Sequence, residues 1–224
     1  MTSDVALRSG GRQTDMARSD LLAGLVASRL CHDLVGPVGA IANGVDLIDE
    51  IGAPPGPEEL ALVRQSTERA AALLRALRCA FGQSSSEGVD VVRTALDAEL
   101  RAVIDGRRVS FSVVALHGPA LPAPVARLCA LMGVSGRLLL GLSGRIELSL
   151  TESAALPVRM MAEGPRAGIE PEAAAWLSGD LSSPPSSREV ELALLPGAAA
   201  MAGARLDFSA EDGRVVVVAL ADTA

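Results

Sequence analysis

A histidine followed at once by an aspartate, His32-Asp33, with a proline five positions beyond at Pro37, is the most reactive local arrangement in this 224-residue chain. A neutral imidazole is a nucleophile. With a reference pKa of about 6.5 it keeps much of its population unprotonated at neutral pH, which suits attack on phosphorus without further activation. Asp33 stands next to it to orient the ring or hold a proton. At 100° per residue His32 lies roughly 165° from the mean direction of the apolar residues of its own helix, so it points to solvent. On the same side follow Gly36, Gly39 or Ala40, and Asn43. Each mid-helix glycine costs about 1 kcal/mol relative to alanine, so several of them, Gly44 included, argue that a smooth face is wanted along which a partner helix can lie. Pro37 offers no N–H to the carbonyl of Asp33 and crowds it, so a bend is expected just past the histidine.

The helix that carries this group is predicted over residues 20 to 52 from Leu22, Val26, Leu30, Leu34, Ile41, Val45 and Ile48, spaced by threes and fours. Gly52-Ala53-Pro54-Pro55-Gly56 breaks it. A second helix opens on Pro57, harmless at the first helical position, with Glu58 and Glu59 at the positive end of its dipole, and stops at Gly82. Its apolar residues Leu60, Val63, Thr67, Ala70, Leu74, Leu77 and Phe81 step 3, 4, 3, 4, 3, 4, the spacing of a left-handed helix seam. A single hairpin leaves apolar surface over, so residues 20 to 82 are expected to pair with a second copy in a four-helix bundle, a homodimer. Counting out from the turn, Arg75 and Arg78 fall at the level of His32, either as part of a solvated helix face or as supports for a phosphoryl group or for a partner's acidic pocket.

Residues 1 to 19 read as a flexible tail and not a signal peptide, since they are polar and lack an apolar run. Residues 83 to 88 are a polar linker, and from residue 89 to 224 the pattern changes to mixed helix and strand. Helices are expected around 91–104, 123–141, 170–177 and 188–202, with strands around 108–115, 145–151, 156–162, 204–208 and 214–220. Glu211-Asp212-Gly213 marks the turn between the last two strands. The second half is therefore an α/β sandwich of the α+β kind.

Charge narrows the partners. The net charge of −7 and pI near 4.9, with no basic run, disfavour nucleic acid and anionic membrane surfaces. Val125 to Leu142 is cut by Arg127 and Arg137, so no transmembrane helix is expected there and the cytoplasm is the expected location. Cys31, Cys79 and Cys129 lack metal-ligand spacing and read as small buried hydrophobes, so neither a metal nor a disulfide is expected. His117, in a loop before Pro119, reads as structural, Glu163 and Glu170 as surface carboxylates, and Trp176 as a packing residue.

His32-Asp33-Leu34-Val35-Gly36-Pro37 resembles the phosphoacceptor box of dimeric sensor histidine kinases. The wider run from Ser28 through Asn43-Gly44-Val45-Asp46-Leu47, followed by a hairpin and a second domain without nucleotide motifs, resembles more closely the ChpT-type histidine phosphotransferases. The C-terminal half is similar in element order to a degenerate kinase ATPase domain. The helix that would carry the kinase's magnesium-binding asparagine reads Pro124-Val125-Ala126-Arg127-Leu128-Cys129-Ala130-Leu131-Met132-Gly133. Asn43 is the only asparagine in the chain, and it lies elsewhere. Glu163-Gly164-Pro165-Arg166-Ala167-Gly168 stands where an aspartate-glycine box would follow its strand. Ser182-Ser183-Pro184-Pro185-Ser186-Ser187 replaces a glycine-rich lid, and with no lysine anywhere a P-loop is excluded.

The resemblance implies a relay in which His32 takes a phosphoryl group from one response-regulator receiver aspartate and passes it to another. No cofactor would be bound by this chain, and magnesium would sit in the receiver. It also implies Asp33 as the orienting acid or base, and Arg29, Gly36, Pro37, Gly39, Ala40, Asn43, Arg75 and Arg78 as the receiver-docking set. Many such kinases carry threonine or asparagine four residues after the histidine to position a hydrolytic water. Gly36 stands there, which implies weak phosphatase activity and a long-lived phosphohistidine. Two other readings remain open: a non-catalytic dimeric protein-binding module, and a divergent ATP-dependent histidine kinase.

Overall fold

The computed structural model describes residues 3–51, 54–82, 91–114, 120–150 and 158–221, with side chains of the first segment described from Met16 to Glu50. Two long helices, α1 (Ser3–Ile51) and α2 (Pro57–Phe81), form an antiparallel hairpin. α2 begins and ends as its sequence dictates. Pro57 opens it, Glu58 and Glu59 occupy the first turn, and the Gly82 N–H donates to the Arg78 carbonyl at 2.9 Å. The hairpin closes tightly at Gly44, where a Cβ would sit 2.7 Å from Val63 Cγ2. Gly44 is the buried residue of α1 among those whose side chains are described.

One expectation for α1 is corrected. The tail expected over residues 1 to 19 is helical from Ser3, because once the packed part of the helix exists each added residue gains a hydrogen bond without a new nucleation cost. Arg18 ties this stretch to the second half by donating from Nη2 to the Gly179 carbonyl at 2.8 Å. The helix also continues without interruption through Pro37. By length and composition the 16–50 stretch of α1 and the helix Ala123–Leu140 are apolar enough to cross a membrane, but 72% of the second window is buried inside the fold.

The second half runs β1 (Val91–Val92), α3 (Arg93–Ile104), β2 (Val109–Val114), β3 (Ala120–Leu121), α4 (Ala123–Leu140), β4 (Gly144–Leu150), β5 (Val158–Glu163), α5 (Pro171–Leu177), α6 (Val190–Met201), β6 (Ala204–Glu211) and β7 (Arg214–Ala221). β1 and β3 form a small antiparallel pair that the sequence reading did not foresee. The main sheet has the order β2-β4-β5-β7-β6, parallel between β2 and β4 and antiparallel elsewhere. Burial alternates along β4 and β7, so helices cover one face. α3, α4 and α6 pack there, with Leu100, Leu131, Met132, Ile146, Met160 and Leu195 filling the middle. β6 and β7 meet through Asp212 and Gly213, both at positive φ (47° and 74°), as a right-twisted two-residue hairpin demands.

The boundary drawn at the end of the hairpin is softer than the sequence suggested. Ala72, Ala76 and Ala80 of α2 are buried, and α2 packs on both α3 and α4, so the end of the hairpin belongs to the sandwich core. The linker at 83 to 88 and the loop holding His117 lie outside the described residues.

Candidate functional site

His32 projects from α1 with 56% of its side chain exposed. Its Nδ1 lies 3.0 Å from Asp33 Oδ1. An ionised carboxylate only accepts, so this contact requires the proton on Nδ1 and leaves the Nε2 lone pair facing outward. The Asp33 side chain is 18% exposed, and its second oxygen, Oδ2, lies 3.1 Å from Arg29 Nε one helical turn earlier. The same Nε is 2.9 Å from Oε1 of Glu191, on the first turn of α6. This is contact of charges without the alignment of a hydrogen bond, and both Glu191 oxygens lack a hydrogen-bond partner. Burial pushes the Glu191 carboxyl above the usual carboxylate range, Arg29 opposes that shift, and the Asp33 charge adds to it.

The small-residue strip stands open beside the histidine. A Cβ placed on Gly36 or Gly39 would meet nothing within 4 Å, and Ala40 and Asn43 are exposed. Arg29, Asp33, Gly36, Pro37 and Ala40 also wall an open cleft of about 760 Å³. Its other walls come from Ser66 and Arg69 of α2, Val103 of α3, Arg137 of α4, and Glu191.

Arg75 is brought to the expected level but turned aside. From the contact of Gly44 with Val63, twelve residues back along α1 is His32 and twelve on along α2 is Arg75, equal rises on two helices. The Arg75 Nε nevertheless donates to Glu99 Oε1 of α3 at 2.9 Å, and its charge is spent on joining hairpin to sandwich. Arg78 is exposed in the last turn of α2.

The cysteines need one correction. Cys31, expected to be buried, is exposed, because the outer side of α1 that carries it has nothing packed against it in the single chain. Cys129 is buried and Cys79 largely so, and desolvation raises their thiols to about 12 and about 11. Among the described residues no three His, Cys, Asp or Glu side chains converge as a metal site.

The segments read in the sequence as standing in for nucleotide boxes make structural contacts of their own. Glu163 accepts from Arg145 and Arg214, which hold its carboxyl below the ordinary range. Gly164 packs its backbone against Ser143 and its N–H donates to the Gly213 carbonyl at 2.9 Å. The loop between α5 and α6 is pinned by Trp176 Nε1 donating to Ser183 O at 2.7 Å and by Glu189 accepting from Ser186.

Glu191 and Arg69 were missed from sequence. For Glu191 a signal existed: a lone acid inside Val190-Glu191-Leu192-Ala193-Leu194-Leu195 has to be buried with its helix, and buried carboxylates need a partner.

The chain thus joins a helical hairpin that presents an exposed histidine to a five-stranded α/β sandwich. The sequence profile of the family "Histidine phosphotransferase C-terminal domain" matches residues 92–214, and the chain belongs to that family. The chain is 44% identical over 70 residues to the protein phosphotransferase ChpT of Brucella abortus (strain 2308), a stretch covering 31% of this chain and 32% of that protein. The match thus spans about a third of the relative's length. A solved structure described as a bacterial phosphotransferase superposes with a TM-score of 0.70 at 24% identity, over 88% of this chain and 95% of that one. The histidine kinase AdeS of Acinetobacter baumannii gives 0.46 at 13% identity, over 85% and 96%.

Proposed function

We propose that this chain is a phosphorelay histidine phosphotransferase that carries a phosphoryl group on His32 between two receiver-domain aspartates. The observation that carries the reading is the exposed imidazole whose Nδ1 is held 3.0 Å from Asp33. In the forward step Nε2 bonds to the phosphorus of an aspartyl phosphate while the bond from phosphorus to the carboxylate oxygen breaks, and the donor aspartate leaves as a carboxylate. The ring then carries positive charge, which Asp33 offsets at Nδ1. In the second step the acceptor aspartate attacks phosphorus and the electron pair of the P–N bond returns to Nε2. Magnesium belongs to the receiver in this scheme, and the open strip from Gly36 to Asn43 takes the receiver's helix. The protein works as a cytoplasmic dimer.

The reading without ATP is supported by what occupies the nucleotide positions. α4 carries no asparagine, Glu163 is engaged by two arginines, and the α5–α6 loop is pinned. The test is phosphoryl transfer from a radiolabelled receiver domain, with His32→Ala and with ATP alone as parallel arms. Label arriving from the receiver, and lost in His32→Ala, is the expected result. Label from ATP would make the protein a kinase instead. Absence of label with every cognate receiver would leave a binding module.

A further inference from the structure

Glu191 is a costly residue where it stands. Its side chain is 1% exposed, it opens α6 among Val190, Leu192, Ala193 and Leu195, and neither oxygen has a hydrogen-bond partner. Burying a carboxylate this way is unfavourable unless a charge meets it. The charge that meets it comes from the other half of the fold, the Arg29 guanidinium 2.9 Å away. That group is 3.1 Å from Asp33, and Asp33 is 3.0 Å from His32. Four side chains thus run in series from the core of the sandwich to the exposed imidazole.

We propose that Glu191, acting through Arg29, is a positioning residue that keeps Asp33 available to the Nδ1–H of His32 and so keeps Nε2 as the nucleophile. The physical argument is competition for one guanidinium. A free arginine one turn before an aspartate tends to form a two-point pair with it, matching its fork to both carboxylate oxygens. Such a pair at Asp33 would draw Oδ1 from the histidine. Glu191 shares the guanidinium and holds it toward α6, its Nε lying 2.9 Å from Glu191 Oε1 and 3.1 Å from Asp33 Oδ2, while Oδ1 stays 3.0 Å from the histidine. The nitrogen that reacts on a helix of the hairpin is in this way set by a residue of the sandwich, which gives the second half a part in the transfer beyond bracing the bundle. The inference rests on the relay reading for its consequence, but its geometry is measurable without any receiver.

The experiment is ¹⁵N spectroscopy of histidine-labelled full-length protein, alongside the rate of phosphoryl uptake from a labelled receiver. The chain has two histidines, so the His32 signals are those missing from His32→Ala. Glu191→Gln keeps the shape and removes one charge, and Arg29 retains Asp33 as an ion partner. In that variant the Nδ1–H tautomer of His32 is expected to lose population, and uptake to slow about tenfold, as when a supporting partner of a reactive imidazole is removed. Adding Arg29→Gln to Glu191→Gln removes the competitor, and the Nδ1–H tautomer of His32 should return. An unchanged tautomer in Glu191→Gln would overturn the proposal and leave Glu191 as a clasp between the two halves. A double variant in which the Nδ1–H tautomer fell below that of the single would overturn it too. Failure of the unsubstituted protein to take label would count against the relay reading and leave the tautomer result standing by itself.

Discussion

At His32 the local sequence does two jobs with adjacent residues. The imidazole is exposed because its helix turns the apolar stripe the other way, and it has a reacting direction because Asp33 occupies one of its nitrogens. Gly36, four residues on, puts no side chain beside it, and a Cβ there would meet nothing within 4 Å. Under the relay reading this bare position matters, since a hydroxyl or amide at that place would hold a water against the phosphoryl group. The phosphohistidine is therefore expected to persist without a receiver, and Gly36→Thr to shorten its lifetime several-fold, read as loss of label from purified phosphoprotein. Rapid loss from the unsubstituted protein would mean that another group supplies the water. His32, Asp33 and the strip were legible in the sequence because they lie within about three turns of one helix, where spacing alone fixes direction. Glu191 was not, because its partner is far along the chain and only the docking of α1 on α6 brings them together.

Among the elements, α2 shows most plainly what periodicity does and does not say. Its seven apolar positions were read as one seam, yet Val63, Ala70 and Leu77 turn inward while Leu60, Thr67 and Leu74 face out. A period of 3.5 fixes which residues share a stripe and leaves open which neighbour each half meets. Ala72, Ala76 and Ala80 supply a further buried face against the sandwich, unmarked in the pattern because alanine suits any helical position. The elements of the second half fell close to their expected bounds, since strands with alternating burial and an Asp-Gly turn announce themselves locally. Pairing order is set by long-range docking and could not be read. At the hairpin crossing Gly44 is decisive. An added Cβ would lie 2.7 Å from Val63 Cγ2, a stiff branched side chain with little room to turn. Gly44→Ala is expected to lose about 1–2 kcal/mol of stability in chemical denaturation, the strain of overpacking exceeding the helix-propensity gain. Val63→Ala in the same chain should relieve the clash. A stabilised Gly44→Ala would show that the two helices separate easily there.

For the whole molecule, the unspent apolar surface is the main remaining fact. Leu60 and Leu74 of α2 are 47% and 49% exposed, and Val35 and Val38 of α1 are 71% and 54% exposed. A hairpin that docks one side of α2 on a sandwich and leaves this much apolar surface in water offers a face for a partner. Among the described residues of α1, only Gly44 is buried, so that helix gains least from the single chain. A second copy packed hairpin to hairpin would cover these residues in a four-helix bundle and, by symmetry, present two histidines on its outside. The expected mass in solution by light scattering is that of two chains, twice 22.9 kDa. Replacing Leu60 and Leu74 by glutamate should convert the protein to one chain while the sandwich keeps its fold, because these side chains are outside the core that α2 shares with α3 and α4. One-chain mass for the unsubstituted protein would overturn the bundle. It would also leave the exposed leucines and valines to a different partner, the receiver being the first to test, by asking whether its binding falls in the same double variant.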